Sequence, residues 1–158
     1  MPRVSPREQG DFGELSAMEW LALHGYSIYL PVFHSPDVDL IAVDGERVLR
    51  VQVKTSTHVR ERRWVVAICT RGGNQSWNGL VKRFSASRCD LLFIHVGDGR
   101  RFAIPVGAVD GTTCIRVGGP KYAPYEVERG RPIPLSRLAD RYPPSPRRGS
   151  RAVKWDAL

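Results

Sequence analysis

The chain has 158 residues, enough for one domain that buries roughly 70% of its unfolded surface. Its 42% hydrophobic and 25% charged residues exclude an intrinsically disordered protein, and no stretch approaches the roughly 20 apolar residues of a membrane-spanning helix. The first residues lack the apolar core of a signal peptide, so we expect a cytoplasmic protein with no membrane partner. The three cysteines are widely spaced and form no C-x-x-C motif, which fits reduced thiols.

Charge is distributed unevenly along the chain. The net charge is +8, but residues 1–56 hold 5 Lys and Arg against 8 Asp and Glu, a net of −3. Residues 57–158 hold the other 19 basic and 8 acidic residues, a net of +11. A basic surface beside an acidic pocket suits a polyanion that is also held by a metal ion. Charge alone leaves nucleic-acid binding and a merely basic protein equally open.

The first predicted element is a helix from Gly10 to Gly25, with glycine at its C-terminal edge. At 100° per residue its apolar side chains form one broad arc, made of Phe12, Leu15, Met18, Leu21 and Ala22. Glu14 falls inside that arc, where a carboxylate is costly unless something pairs with it. Glu14 is therefore the unusual residue of this helix.

Strands follow the helix. Residues 26–33 predict a first strand near a sheet edge because Pro31 interrupts it, and 39–43 and 47–54 predict a hairpin turning at Asp44-Gly45. The remaining expected elements are strands at 63–70, 89–96, 101–106 and 112–117, of which the last would extend the same sheet, a loop at 71–79, a short helix or turn at 80–87, and an amphipathic helix at 134–142. We expect one domain over 1–142 and a basic Pro/Arg-rich tail over 143–158.

The hairpin predicts a polar row on one face of the sheet. With Asp44-Gly45 as the turn, the predicted pairs are Val43–Glu46, Ile41–Val48 and Asp39–Arg50. Face alternation then places Asp39, Arg50, Gln52 and Lys54 on one side, and Leu49, Val51 and Val53 on the other. Asp37 shares the polar side, but it follows Pro36, which favours Asp39 as the residue within the ordered strand.

Two interpretations of this row remain open. A carboxylate, an amide oxygen and an ammonium, with Glu14 available from the helix, are the groups used for Mg²⁺ binding and metal-assisted phosphodiester hydrolysis. A solvated sheet face held by Asp39–Arg50 and Asp37–Lys54 ion pairs explains the same alternation. Spacing alone does not choose between the two.

The same residues resemble a known family. Glu14 on a helix, Asp39-Leu-Ile-Ala on the second strand and Gln52-Val-Lys54 on the third resemble the PD-(D/E)XK nuclease superfamily. Gln52 stands where most members carry Glu or Asp, similar to the Q-x-K branch that contains a group I intron-encoded homing endonuclease. The resemblance spans about Glu14 to Val106 and implies an α/β, restriction-endonuclease-like αβββαβ core with a mixed central sheet.

The resemblance also implies roles for these residues. Asp39 would be the metal-binding aspartate, Gln52 would contribute its carbonyl oxygen, Glu14 would bind the metal directly or through water, and Lys54 would be the catalytic lysine. The implied cofactor is Mg²⁺, with Mn²⁺ as a substitute. Because Gln52 removes one negative charge from the usual set, Glu14 would offset that loss.

Further residues are candidates for nucleic-acid contact. Hydroxyl and guanidinium groups suit phosphate contact, and the candidates are Thr55, Ser56, Arg60, Arg62, Arg63, Arg147, Arg148 and Arg151. Asn74, Gln75 and Trp77 could contact or stack on bases. Strand ends, solvated loops and core packing explain these residues equally well.

The leading hypothesis is a Mg²⁺-dependent DNA endonuclease that acts on double-stranded or branched DNA. The alternatives are a catalytically inactive DNA-binding module of the same fold, a Holliday-junction resolvase, and a structural protein in which Asp39 and Lys54 belong to an ion-pair network. Because cutting both strands requires two sites, we expect a homodimer or homotetramer.

Overall fold

The computed structural model describes residues 4–71, 81–82 and 84–134 of the chain. One α-helix, α1 (Pro6–Leu23), precedes eleven strands within these ranges. The strands are β1 (Ser27–Tyr29), β2 (Leu40–Asp44), β3 (Arg47–Ser56), β4 (Val59–Arg60), β5 (Arg63–Ala67), β6 (Thr70–Arg71), β7 (Val81–Lys82), β8 (Leu91–Val96), β9 (Arg101–Pro105), β10 (Cys114–Val117) and β11 (Glu126–Val127). Short 3₁₀ turns cover Val106–Ala108 and Ala123–Tyr125.

Helix α1 begins four residues earlier than expected. Ser5 caps it, because the Ser5 hydroxyl accepts from the Glu8 amide and the Glu8 carboxylate accepts from the Ser5 amide. Pro6 occupies the first turn, where its missing N–H costs no hydrogen bond. The predicted C-terminal glycine is confirmed, since Gly25 adopts a φ of +85° just past the helix.

The central sheet has six strands in the order β1-β2-β3-β8-β9-β11. Strands β3 and β8 are parallel, and the other neighbours are antiparallel. The expected mixed sheet is therefore confirmed. Strand β1 lies at one edge and ends before Pro31, which agrees with the edge position predicted from that proline.

Each face of the sheet carries its own core. On one face α1 packs through Ala17 and Leu21 onto Leu40, Ala42, Val51, Val53 and Phe93. On the other face a three-stranded sheet, β10-β5-β4, covers Leu92, Ile94, Val96, Phe102 and Ile104. Strand β3 is therefore central, with its odd-numbered residues toward α1 and Gln52 on the opposite side, as the alternation predicted.

The predicted register of the β2–β3 hairpin was wrong by two residues. Val43 pairs with Val48 and Ile41 with Arg50, and the connection is Gly45-Glu46 rather than Asp44-Gly45. Gly45 has a φ of +56°, so the glycine still occupies a turn position that disfavours other residues. A shift of two residues leaves every side chain on its predicted face. The polar row survives, but Asp39 no longer lies opposite Arg50.

Two other expectations differ from the structure. Strand β10 pairs with β5 in the smaller sheet and does not extend the central one. The connection from β3 to the parallel strand β8 holds strands and a turn at 86–88, with no α-helix among its described residues. Most of the expected loop 71–79 and helix 134–142 lies outside the described residues, as does the tail 143–158. Within the described ranges no helix is long and apolar enough to cross a membrane.

Candidate active site

Asp39 immediately precedes β2 and is hydrogen-bonded to the backbone of β3. Its amide donates to the Val51 carbonyl at 2.9 Å, and its carboxylate accepts from the Val53 amide at 2.6 Å. The Asp39 carboxylate is thus hydrogen-bonded to a backbone N–H of β3, next to the first residue of β2. These two bonds fix the direction of the carboxylate relative to β3, the strand that carries Gln52 and Lys54.

Lys54 lies within electrostatic range of Asp39. Burial raises the pKa of the Asp39 carboxyl above its usual range, and the Val53 amide and the charges of Lys54 and His34 oppose that shift only in part. Desolvation is thus the larger effect, even with an ammonium group nearby. Burial therefore disfavours the ionised form of Asp39 more than its neighbours favour it.

Glu14 brings a second carboxylate to the same place from α1. Burial raises the pKa of Glu14, and the negative charges of Asp39 and Asp11 raise it further. Glu14 and Asp39 both line a cleft of about 230 Å³, whose other wall is the segment 30–35 together with Val38. Two partly desolvated carboxylates lie beside an open cleft, and a divalent cation bound there would stabilise their ionised forms.

Gln52 is nearly buried, with 4% of its surface exposed. Its Nε2 donates to the Pro36 carbonyl at 3.4 Å. Gln52 lines a separate small cavity of about 10 Å³, together with Asp37, Phe84, Ser85, Arg88 and Cys89. The structure therefore brings Glu14 and Asp39 to one cleft, with Lys54 close enough to act on Asp39, whereas the Gln52 side chain lies outside that cleft.

These donors suit Mg²⁺. No cluster of three or more His, Cys, Asp or Glu residues that could hold a metal occurs in the described part of the chain. Mg²⁺ commonly accepts only one or two carboxylates and completes its shell with waters and phosphate oxygens. Glu14 and Asp39 supply two carboxylates to the cleft, whereas Gln52 lines the separate small cavity.

The ion pairs proposed for a merely structural polar face do not form. Arg50 pairs with Asp90, whose carboxylate accepts from the Arg50 amide at 2.8 Å and from its Nε and Nη2 at 3.0 Å. Asp37 lies 3.8 Å from Arg88 rather than against Lys54. Both predicted pairs are therefore wrong. Asp90 was missed as the partner of Arg50 because it lies 40 residues further along the chain.

The candidate nucleic-acid residues have different surroundings. Thr55 faces α1, where its methyl group occupies the space that a side chain at Gly13 would need. Ser56 is buried, and its hydroxyl donates to the Val65 carbonyl at 2.5 Å. Exposed positions on the β4–β5 hairpin hold Arg60, Arg62 and Arg63. Residues outside the described part include Asn74, Gln75, Trp77, Arg147, Arg148 and Arg151.

A buried polar network that the sequence analysis missed holds α1 in place. The Ser16 hydroxyl lies 2.7 Å from His95 Nδ1, and His95 Nε2 donates to the Arg131 carbonyl at 2.8 Å. Burial lowers the pKa of His95, which keeps the ring neutral and fits these two bonds. Arg101 also donates to Glu19 on the helix at 2.8 Å. A histidine and an arginine inside otherwise apolar strands were the available signals.

Comparisons with known proteins agree with this geometry. The sequence matches the profile of the family described as PD-(D/E)XK endonuclease over residues 4–123, a range that includes Glu14, Asp39, Gln52 and Lys54. The fold is similar to that of a bacterial homing endonuclease, I-Ssp6803I, with a TM-score of 0.67 and 19% identity; the match covers 78% of this chain and 89% of the other.

At that identity the likeness shows the fold alone, and it confirms the expected restriction-endonuclease-like α/β class. A search of curated proteins gave no match. The family match extends over most of the chain, and the helix, mixed sheet and polar strand ends lie inside it. The chain belongs to the PD-(D/E)XK endonuclease family, a family of phosphodiester hydrolases.

Proposed function

We propose that the protein is a Mg²⁺-dependent DNA endonuclease. The observation that carries the proposal is the meeting of Glu14, Asp39 and Lys54 at the β2–β3 strand ends beside an open cleft. The pKa values of both carboxyls are raised, chiefly by burial, and that of Glu14 also by the negative charges of Asp39 and Asp11, which is consistent with a functional site. A divalent cation bound there would stabilise both ionised forms.

Each side chain has a role in this proposal. Asp39 and Glu14 would hold Mg²⁺ in the cleft. Gln52 lines a separate cavity and would have to turn its Oε1 toward the ion to act as a neutral ligand. Bound Mg²⁺ would stabilise the charge that develops on the phosphate during in-line attack by water. Lys54, held beside Asp39, would donate hydrogen bonds to the phosphate or orient the attacking water.

DNA is the proposed substrate, double-stranded or branched. The structural relative is a homing endonuclease, and the residues after position 56 carry a net charge of +11 that suits a polyanion. Exposed arginines at 60, 62 and 63, with Arg147, Arg148 and Arg151 of the tail, would contact phosphates. We further propose a homodimer or homotetramer, since one site cuts one strand at a time, and a cytoplasmic location.

One observation favours a second candidate, an inactive DNA-binding module. Gln52 supplies no charge where the family pattern has a carboxylate, and its side chain lies outside the cleft that Glu14 and Asp39 line. Weaker metal binding could then abolish cleavage and leave DNA binding intact. The position of Glu14 inside the cleft argues for the active enzyme, because it restores a second carboxylate there.

A cleavage assay on several DNA forms tests the proposal. Wild-type protein would be incubated with linear, supercoiled and four-way-junction DNA in Mg²⁺, in Mn²⁺ and in EDTA. We expect metal-dependent nicking of at least one form and none in EDTA. Binding without cleavage of any form would support the inactive module, and cleavage confined to the junction would support a resolvase.

A further inference from the structure

The segment Leu30–Phe33, which we call the apolar wedge, exposes large apolar side chains to solvent. Leu30 is 58% exposed, Val32 91% and Phe33 85%. The segment lies between the end of β1 and the start of β2, so no sheet pairing explains its position. Contiguous exposed apolar groups on a loop commonly mark a surface that contacts something else.

The apolar wedge lies beside the proposed catalytic residues. All four of its residues line the same cleft as Glu14 and Asp39. Pro31 fixes one φ angle within it, which limits the conformational freedom that is lost when the segment binds. Any phosphodiester that reaches the two carboxylates would therefore bring its neighbouring nucleotides against Val32 and Phe33.

The position of the apolar wedge favours DNA as its occupant over a second protein chain. A partner chain seated on residues 30–33 would cover the mouth of the cleft that the substrate must enter. The wedge itself carries no charged residue, so it presents no repulsion to a polyanion and no group for phosphate pairing. Bases are the apolar part of DNA, and an exposed phenylalanine suits stacking on them.

We propose that the apolar wedge inserts against the bases that flank the scissile phosphate, with Phe33 stacking on an unstacked base and Val32 packing beside it. This inference rests on the proposed DNA endonuclease function. Its consequence is local distortion of the DNA at the cleavage site, so steps that unstack easily are cut faster. The wedge thus adds preference for a deformable step to a site whose other contacts are with phosphates.

The test uses duplexes that carry 2-aminopurine beside the position nicked by the wild-type protein. Binding would be measured in EDTA, together with the fluorescence increase that accompanies base unstacking. Phe33→Ala and Val32→Ala are compared with Leu23→Ala and Val48→Ala, which remove exposed apolar groups outside the cleft. We expect the wedge substitutions to lower DNA affinity about tenfold each and to abolish the fluorescence increase, with the two controls unchanged.

The other outcomes separate failure of the proposed function from failure of the apolar wedge alone. If the wild-type protein neither binds nor nicks DNA, both the proposed function and the apolar wedge fail. If it does both, but the wedge variants match their controls or no fluorescence increase occurs, the wedge alone fails. Analytical sedimentation tests whether the apolar wedge instead contacts a second copy of the chain. If Phe33→Ala dissociates an oligomer, the apolar wedge contacts a second copy and the proposal is wrong.

Discussion

At the scale of single residues, Asp37 and Asp39 have different surroundings although they are two positions apart. Strand alternation placed both on one face and could not choose between them. The structure ties Asp39 to the Val53 amide and to the cleft, whereas Asp37 lies near Arg88. Pro36 favoured Asp39 from the local pattern, but the partner of Asp37 lies 51 residues away and is not encoded in that pattern.

Asp39→Asn should raise the melting temperature at neutral pH in EDTA. The folded pKa of Asp39 is raised above its ordinary 3.8, so the folded state binds protons more tightly than the unfolded state. Ionised Asp39 therefore lowers stability above its folded pKa, and this cost fades as pH falls through that pKa toward 3.8. The gain from Asp39→Asn should accordingly be present at pH 7 and absent below pH 3.8.

In Mg²⁺ the wild-type protein should have a higher melting temperature than Asp39→Asn, the reverse of the order in EDTA. Wild type should gain stability with Mg²⁺ because the ion binds only the folded state, and Asp39→Asn should gain little. Thermal unfolding across pH, with and without Mg²⁺, measures both effects. Asp44→Asn, at an exposed hairpin position, is the control and should respond to Mg²⁺ like wild type. A lower melting temperature for Asp39→Asn in EDTA would instead support a structural ion pair.

Gln52→Glu should tighten Mg²⁺ binding while lowering stability without metal. The new carboxylate would lose the hydrogen bond to the Pro36 carbonyl and add charge at a nearly buried position. Bound Mg²⁺ would offset both costs, so the metal affinity should rise. Gln9→Glu is a matched control, since Gln9 Nε2 also donates to a carbonyl, that of Val4, outside the cleft. Calorimetric titration with Mg²⁺ decides, and an unchanged affinity would mean that Gln52 is not a ligand.

At the scale of elements, α1 positions Glu14 at the cleft. Its glycine ending was predictable from sequence, because it is a local signal. The predicted apolar arc was wrong in part, because Leu15 is 64% exposed and Ala22 is exposed. The buried face of the helix instead consists of Gly13, Ser16, Ala17 and Leu21. Its early start at the Ser5 cap was missed, although the S-x-x-E pattern of a capping box is present at Ser5–Glu8. The hydrogen bonds from Ser16 to His95 and from Arg101 to Glu19 were not predictable, because their partners lie 79 and 82 residues apart in sequence.

Gly10 and Gly13 in α1 should respond oppositely to alanine. Gly10 has open space around it, so Gly10→Ala should stabilise the protein by roughly 0.5–1 kcal/mol through helix propensity. At Gly13 a methyl group would collide with Thr55 on β3, so Gly13→Ala should destabilise by about 1–3 kcal/mol. Urea unfolding measures both values.

The same pair of variants tests how tightly α1 positions Glu14. Because Gly13→Ala pushes the helix away from β3 next to Glu14, it should also weaken Mg²⁺ binding, and Gly10→Ala should not. Equal Mg²⁺ affinity in the two variants would show that the placement of Glu14 does not depend on this contact.

At the scale of the whole molecule, the mixed central sheet was expected from the resemblance, and the smaller sheet β10-β5-β4 on its second face was not expected. The resemblance implied the mixed sheet around β3. Periodicity predicted the β2–β3 hairpin and the faces of its strands, which are local signals, but not the register of the hairpin. Strand β10 pairs with β5 almost 50 residues earlier, and alternation in a strand says nothing about its partner. In the β3–β8 connection the described residues hold strands and a turn at 86–88, the turn being one of the two forms expected for 80–87.

Charge separation along the chain predicts strongly salt-dependent DNA binding. The logarithm of the affinity should fall by about 0.9 per log unit of salt for each phosphate neutralised. Removing residues 143–158 should flatten this slope, because that tail is rich in arginine, and should leave cleavage chemistry intact. Fluorescence anisotropy on a duplex from 50 to 300 mM salt measures the slope. Affinity that is independent of salt would contradict nucleic acid as the partner.

The most direct test of the catalytic assignment is the rate of plasmid nicking by Lys54→Ala at saturating Mg²⁺. Lys54 lies beside Asp39 but is not a proposed metal ligand, so the variant should bind Mg²⁺ like wild type and nick at least about 100-fold more slowly. Lys121→Ala, which removes an exposed lysine elsewhere, should nick at the wild-type rate. Nicking by Lys54→Ala at the wild-type rate would contradict the account.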